Sequence, residues 1–194
     1  MINKKHITGI ILAGGKSSRM GTDKGFLEYN GKRFTQHAID ALTPHVNTII
    51  IVSDNPDYDV FKLKRIPDLI KNSGPLAGLY SGLSASQTDY NIVLSCDIPL
   101  VNSNIIEALA KHINNDIEVI QIQSKNKTMP LIAAYKTSCK NKCLDLLNND
   151  ERRLRVAIQQ FTSKTIVLDE SLENFTTNIN TPSELKHIKN AVNH

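Results

Sequence analysis

The 194-residue chain predicts an α/β fold with a mostly parallel sheet and helices on both faces. Three observations predict it. Short continuous apolar runs mark strands covered on both sides, helical stretches alternate with them, and polar residues follow the strand ends.

Ile7 to Leu12 is the first such strand. It enters the loop Ala13-Gly14-Gly15-Lys16-Ser17-Ser18-Arg19-Met20-Gly21-Thr22-Asp23-Lys24-Gly25. After Phe26 to Tyr29, Asn30-Gly31 is a tight-turn signal, and Thr35 to Leu42 reads as a helix. Thr48 to Val52 is a second buried strand, ending in the loop chemistry of Ser53-Asp54-Asn55-Pro56. Lys64 to Asp68 is a short strand closing on a carboxylate, and Gly74-Pro75-Leu76-Ala77-Gly78 opens a helix. Asn91 to Ser95 leads into Cys96-Asp97-Ile98-Pro99, and Ser103 to Ile113 is helical. Glu118 to Gln123 and Leu131 to Tyr135 are strands joined by Lys125-Asn126-Lys127. Ser138 to Asn149 and Leu154 to Phe161 are helices separated by charge, and Thr165 to Leu168 is a late strand. Thr181-Pro182-Ser183-Glu184 starts the last helix, which runs to about Val192, with a Thr cap, Pro at the first position and Glu three beyond the cap. No repeat or linker interrupts the chain, so one domain over residues 1–194 is expected.

Composition excludes several classes. A net charge of +4 with 5% aromatics gives no basic surface interleaved with aromatics, so no nucleic-acid partner is expected. No run approaches the roughly twenty apolar residues of a membrane span, and the basic start lacks a signal peptide's apolar core. Three cysteines, Cys96, Cys139 and Cys143, do not suggest a disulfide framework. A soluble cytoplasmic protein is the simplest expectation.

In parallel sheets ligands sit at the carboxyl ends of the strands. The glycine loop, Ser53-Asp54-Asn55, Asp68 and Asp97 all fall at such ends. The loop matches neither Gly-x-x-x-x-Gly-Lys-Ser/Thr nor Gly-x-Gly-x-x-Gly. Its backbone N–H groups with Lys16, Arg19 and Lys24 suit an anion, and Arg19 and Lys24 would neutralise charge on departing pyrophosphate. A carboxylate beside phosphates calls for a cation between them. Mg²⁺, which takes few carboxylates plus phosphate oxygens and water, would therefore sit at Asp97. Plainer roles exist: a surface turn for the loop, a helix cap for Asp97, turn chemistry for Asp68, and solvation for Arg152-Arg153. Asn178 and Asn180 have the chemistry to bind metal, ligand or turn backbone. No Ser-His-Asp or Cys-His arrangement is visible. Nucleotidyl transfer to an already ionised phosphate needs no general base.

Leu12-Ala13-Gly14-Gly15 through Arg19-Met20-Gly21 and Asp23-Lys24-Gly25 resembles the signature loop of the molybdenum cofactor guanylyltransferase (MobA) family. The likeness continues in the family's order through Gly74-Pro75-Leu76-Ala77-Gly78, Cys96-Asp97-Ile98-Pro99, Glu151-Arg152-Arg153 and Asn178-Ile179-Asn180-Thr181-Pro182. The resemblance implies a Rossmann-like three-layer fold of the nucleotidyltransferase type. It also implies transfer of GMP from GTP to the phosphate of molybdenum-loaded molybdopterin, with Mg²⁺ and release of pyrophosphate. Positions matching Leu12, Ala13, Gly14, Gly15, Lys24, Asp68 and Asp97 would contact GTP, with Asp97 also the metal ligand. Those matching Arg19, Gly78, Arg153, Asn178 and Asn180 would belong to the active-site region and the pterin side. Arg19, Lys24 and Asp97 are the catalytic candidates. Family members often carry an Asn after the second strand. Here Ser53, Asp54 and Asn55 are the candidates, with Ser53 taken as the nucleotide contact. Met129-Pro130 stands where the family often has His-Pro or Gln-Pro. A related cytidylyl- or sugar-phosphate nucleotidyltransferase and a non-catalytic nucleotide-binding regulator are the alternatives. Transient contact with other cofactor-biosynthesis proteins or acceptor enzymes is also expected by resemblance.

Overall fold

The computed structural model describes residues 2–14 and 23–191. One seven-stranded sheet is built from β1 (Ile7–Leu12), β4 (Thr48–Val52), β5 (Lys64–Ile66), β6 (Tyr90–Ser95), β7 (Val119–Ser124), β8 (Lys127–Lys136) and β9 (Ser163–Val167). The strand order is β5-β4-β1-β6-β8-β7-β9. β2 (Glu28–Tyr29) and β3 (Lys32–Arg33) form a separate hairpin. Its turn, Asn30-Gly31, takes φ of 49° and 73°, the left-handed pair that a tight hairpin requires.

The expected mostly parallel sheet with helices on both faces is present. β1 pairs in parallel with β4 and β6, β4 with β5, and β7 with β9. β8 runs the other way between β6 and β7, so a hairpin inserts its second strand into the sheet. The expected strand from Leu131 is longer, because Lys127 to Pro130 also belongs to it. Pro130 is tolerated inside a central strand because the register with β7 shifts between Gln121 and Ile122. The β6 pairing, for its part, starts only at Ile132. Proline's missing N–H thus falls where no ladder bond is lost.

One face is covered by α1 (Phe34–Leu42) and α3 (Ser103–Ala110). Ala38, Leu42, Ile105, Ile106 and Leu109 are buried there against Ile11, Ile51, Ile92 and Leu94. The other face takes α2 (Gly74–Ala85), α4 (Cys139–Asn148) and α5 (Leu154–Ile158). Leu76, Leu79 and Leu83 of α2 are fully buried there with Ile10 and Val93. Each such leucine contributes about 1.5–3 kcal/mol of burial. Cys139 and Cys143 are buried in the same layer. Gly82 lets α2 lie directly on β1, since a Cβ there would stand 2.6 Å from Ile10 Cγ2.

A short α6 (Glu170–Glu173) leads to α7 (Pro182–Ala191). The expected capping box forms: Glu184 accepts from the N–H groups of Asn180 and Thr181 at 2.7 and 2.9 Å, and its own N–H donates to Thr181 Oγ1. Ile179 and Ile188 bury against Phe34 and Tyr29, fastening this end to the hairpin. Among the described residues, no helix is long and apolar enough to cross a membrane.

The chain leaves β1 toward β4 and β5 on one side, then returns to place β6 on the other. The crevice for a ligand opens where this order reverses, at the carboxyl ends of β1 and β6.

Candidate active site

Ladder hydrogen bonds continue past the strand ends and anchor the first residue of each loop. Ala13 N–H donates to the Val52 carbonyl, Cys96 N–H to Leu12, and Ser53 N–H to Ile66. These bonds hold the starts of the loops at one edge. They frame a cleft of about 550 Å³ lined by Leu12, Ala13, Gly14, Asp54, Asp68, the stretch from Asn72 into the start of α2 at Pro75, Gly78 and Ser95. The expected residues Leu12, Ala13, Gly14, Asp68 and Gly78 therefore share one cavity. Gly15 and Arg19, with Lys16, lie outside the described residues.

Gly78 sits inside α2 with its Cα hydrogen toward Leu12 and Asp68, where an added Cβ would make ordinary contact at 3.5–3.6 Å. It belongs with the Leu12 and Asp68 side of the cleft. Asp68 is half-buried, and its Oδ1 has no hydrogen-bond partner among the described residues. Burial raises its carboxyl above the ordinary range, and neighbouring Asp54 raises it further. Among the described residues this acceptor on the cavity wall is left unsatisfied.

Ser53 is buried but does not line the cleft. Its hydroxyl accepts from Asn55 N–H and its carbonyl accepts from Arg65, both turn contacts. Asp54 is the residue of this loop on the cleft wall. Its carboxylate accepts from Lys71 and from Asp68 N–H, and the lysine holds it below the ordinary carboxylate range.

A second constellation gathers beyond Ser95. Asp97 Oδ1 accepts from Ser95 Oγ at 2.7 Å and from Asn178 Nδ2 at 2.8 Å. Lys24 Nζ lies 3.5 Å from Asp97 Oδ2 and donates to Asn180 Oδ1 at 2.5 Å. The Asp97 carbonyl also accepts from Ile179 N–H. Lys24, Asp97, Asn178 and Asn180 are thus one cluster, although the chain separates them widely. A lysine and a carboxylate, both mostly buried, stand beside the cleft, joined to it through Ser95. That arrangement can take a polyanion and direct its charge.

Arg153 is not part of this cluster. Its side chain is 76% exposed and forked onto Glu151, with contacts of 2.9 and 2.6 Å. The guanidinium, helped by two backbone N–H groups, pulls Glu151 down to about 2. Arg152 is the arginine at the cleft rim, donating to Ser73 Oγ.

Two residues that sequence reading passed over as site residues, Asp23 and Tyr58, complete the framework. Asp23 Oδ1 accepts from the buried Tyr58 hydroxyl at 2.6 Å and from Gly25 N–H at 3.1 Å. Asp23 Oδ2 accepts from Asn55 Nδ2 at 3.3 Å. The signal available in the sequence was an Asp placed two residues before a glycine, a turn-capping pattern. Among the described residues, no group of three or more His, Cys, Asp or Glu could hold a metal ion.

The MobA-like NTP transferase domain model matches residues 9–165. A probable molybdenum cofactor guanylyltransferase of Flavobacterium johnsoniae is 34% identical over 183 residues, covering 94% of this chain and 96% of that protein. A counterpart from Clostridium perfringens is 35% identical, covering 92% and 93%. The molybdenum cofactor guanylyltransferase of Yersinia pestis is 32% identical with the same coverage. The fold is that of the molybdopterin-guanine dinucleotide biosynthesis protein A of Archaeoglobus fulgidus, with a TM-score of 0.78 at 21% identity over 96% of this chain and 98% of that one. It is also that of 4-diphosphocytidyl-2C-methyl-D-erythritol synthase from Anaerococcus prevotii, with a TM-score of 0.74 at 13% identity over 98% and 97%.

Proposed function

The chain belongs to the MobA-like NTP transferase family, and from that membership we infer that it is a molybdenum cofactor guanylyltransferase. It transfers GMP from GTP to the phosphate of molybdopterin, molybdenum-loaded, and releases pyrophosphate. The observation that carries this reading is the Lys24–Asp97–Asn178–Asn180 cluster beside the cleft. It stands in a chain that aligns nearly end to end with relatives of that name.

In this reading the nucleotide lies along the ends of β1, β4 and β6. Backbone at Leu12 to Gly14 holds it, and the Asp68 oxygen, without a partner among the described residues, meets a donor of the nucleotide. The acceptor's phosphate attacks the α-phosphorus, a P–O bond to it forms, and the bond to the β-phosphate oxygen breaks. Lys24 stands where it can draw off the charge that accumulates on the pyrophosphate. The nucleophile is already an anion, so the residues position and neutralise rather than abstract a proton.

Mg²⁺ is proposed as the cofactor. The residues fit it: Asp97 offers one carboxylate, as Mg²⁺ sites completed by phosphate oxygens and water require. When bound it would supply further charge neutralisation on the triphosphate. Arg19 and Gly15 are assigned to the phosphates, and Arg153 to the pterin side, on the family resemblance. A cytoplasmic enzyme of one domain, with no nucleic-acid or membrane partner, completes the reading.

The test combines the protein, Mg²⁺ and molybdopterin or its molybdenum-loaded form with GTP or CTP, and measures pyrophosphate. Release with GTP supports the assignment. Release with CTP alone overturns it.

A further inference from the structure

We propose that Asp23 and Tyr58 are positioning residues for Lys24, forming a bracket that fixes the backbone on which the lysine stands. The inference rests on the reading of Lys24 as the charge-neutralising group.

Asp23 immediately precedes Lys24 and caps the single 3-10 turn Lys24–Phe26 with its bond to Gly25 N–H. The same Oδ1 accepts the Tyr58 hydroxyl at 2.6 Å, and Oδ2 accepts from Asn55. On the far side of Lys24, the Gly25 carbonyl accepts from the buried Thr35 hydroxyl at 3.0 Å. Gly25 has no space for a Cβ, which would overlap the Tyr58 hydroxyl and lie 2.6 Å from Thr35 Oγ1. Backbone is therefore pinned before and after Lys24.

Tyr58 is fully buried, with its ring 4.7 Å from that of Phe26 and 6.0 Å from that of Phe61. A phenylalanine would fill that space without a hydroxyl to desolvate. A buried hydroxyl is costly unless it is bonded, and its bond goes to the residue before Lys24. Burial keeps the phenol protonated, so it remains a donor. A lysine has a flexible four-carbon stem, so fixing its Cα reduces the conformers that must be ordered to place the ammonium. The bracket does this, and Asn180 and Asp97 then receive the ammonium. Sequence distance concealed the arrangement: Tyr58 arrives from the turn after β4, 35 residues beyond Asp23.

The experiment uses the full chain. It measures kcat and KM for GTP by pyrophosphate release, and amide exchange of Gly25 by NMR. Tyr58→Phe is expected to lower kcat about tenfold. KM for GTP should change less than about threefold, and Gly25 should exchange faster. In a Lys24→Ala background the same substitution should cost less than about twofold, because coupled residues are non-additive. Asp23→Ala should lose more than Tyr58→Phe, and Asp23→Asn should restore part of it. Wild-type kcat together with wild-type Gly25 protection in Tyr58→Phe would overturn the bracket. So would an equal loss in the Lys24→Ala background, which marks a merely structural tyrosine. If the wild-type protein releases no pyrophosphate, the functional reading fails instead. Gly25 exchange then decides the bracket by itself.

Discussion

The Lys24 ammonium donates to Oδ1 of Asn180 at 2.5 Å, across 156 positions of sequence. This bond ties the loop after the first strand to the segment before the last helix. Asn180 holds the lysine without neutralising it, because an amide oxygen accepts a hydrogen bond and carries no net charge. Asp97, at 3.5 Å, is the weaker contact of the two. The lysine is held in place between an amide oxygen and a more distant carboxylate.

Asn180→Asp should therefore separate stability from activity. A carboxylate at this position would pair with Lys24 and compete with the triphosphate for it. The melting temperature should stay level or rise, while KM for GTP rises about tenfold. A KM equal to that of the unmodified protein would remove Asn180 from the lysine's role.

Asp97→Ala should reduce pyrophosphate release by at least about a thousandfold if its carboxylate holds the metal against the phosphates. It also leaves Asn178 and Ser95 without their shared acceptor, at a cost of about 1–3 kcal/mol in urea unfolding. Wild-type turnover would exclude the carboxylate from the chemistry.

Two glycines of α2 should respond in opposite senses. Gly82→Ala drives a methyl group into Ile10 and should destabilise by about 1–3 kcal/mol despite the better helix propensity. Gly78→Ala meets only ordinary contacts and should gain up to about 1 kcal/mol. Its methyl nevertheless stands between Leu12 and Asp68, so GTP binding measured by calorimetry should weaken.

Asp68 and Glu151 predict opposite pH dependences. The Asp68 carboxyl is raised in the folded protein, chiefly by burial. Folding then binds its proton more tightly, and its contribution to stability declines as pH rises above about 4. Asp68→Asn should thus stabilise the protein at neutral pH, with the gain disappearing below about pH 4. Glu151 is lowered to about 2 by its bond from Arg153. Its contribution is complete above about pH 4.3 and is lost as pH falls through about 2, so Glu151→Gln should destabilise fully above about pH 4.3 and progressively less below it. Urea titrations between pH 2.5 and 7.5 would show both trends.

Local chemistry by itself determined the strands of the large sheet except the first part of β8, the capping box at Thr181 and Glu184, the Asn30-Gly31 turn and the carboxylates at strand ends. Each is written in residues no more than a few positions apart. The gathering of Asp68 with Leu12 and Gly78 also came from the rule that parallel strands share one carboxyl edge. Only the tertiary structure decided the rest. β8 enters the sheet antiparallel between β6 and β7, and a bulge accommodates its Pro130, neither of which periodicity reveals. Asp54 rather than Ser53 faces the cleft, and Arg152 rather than Arg153 reaches its rim. Neighbouring residues point different ways, and their partners, Lys71 and Ser73, come from another segment. Tyr58 meets Asp23, and Asn180 meets Lys24, for the same physical reason. A hydrogen bond depends on a few ångströms in space, and separation along the chain does not encode it.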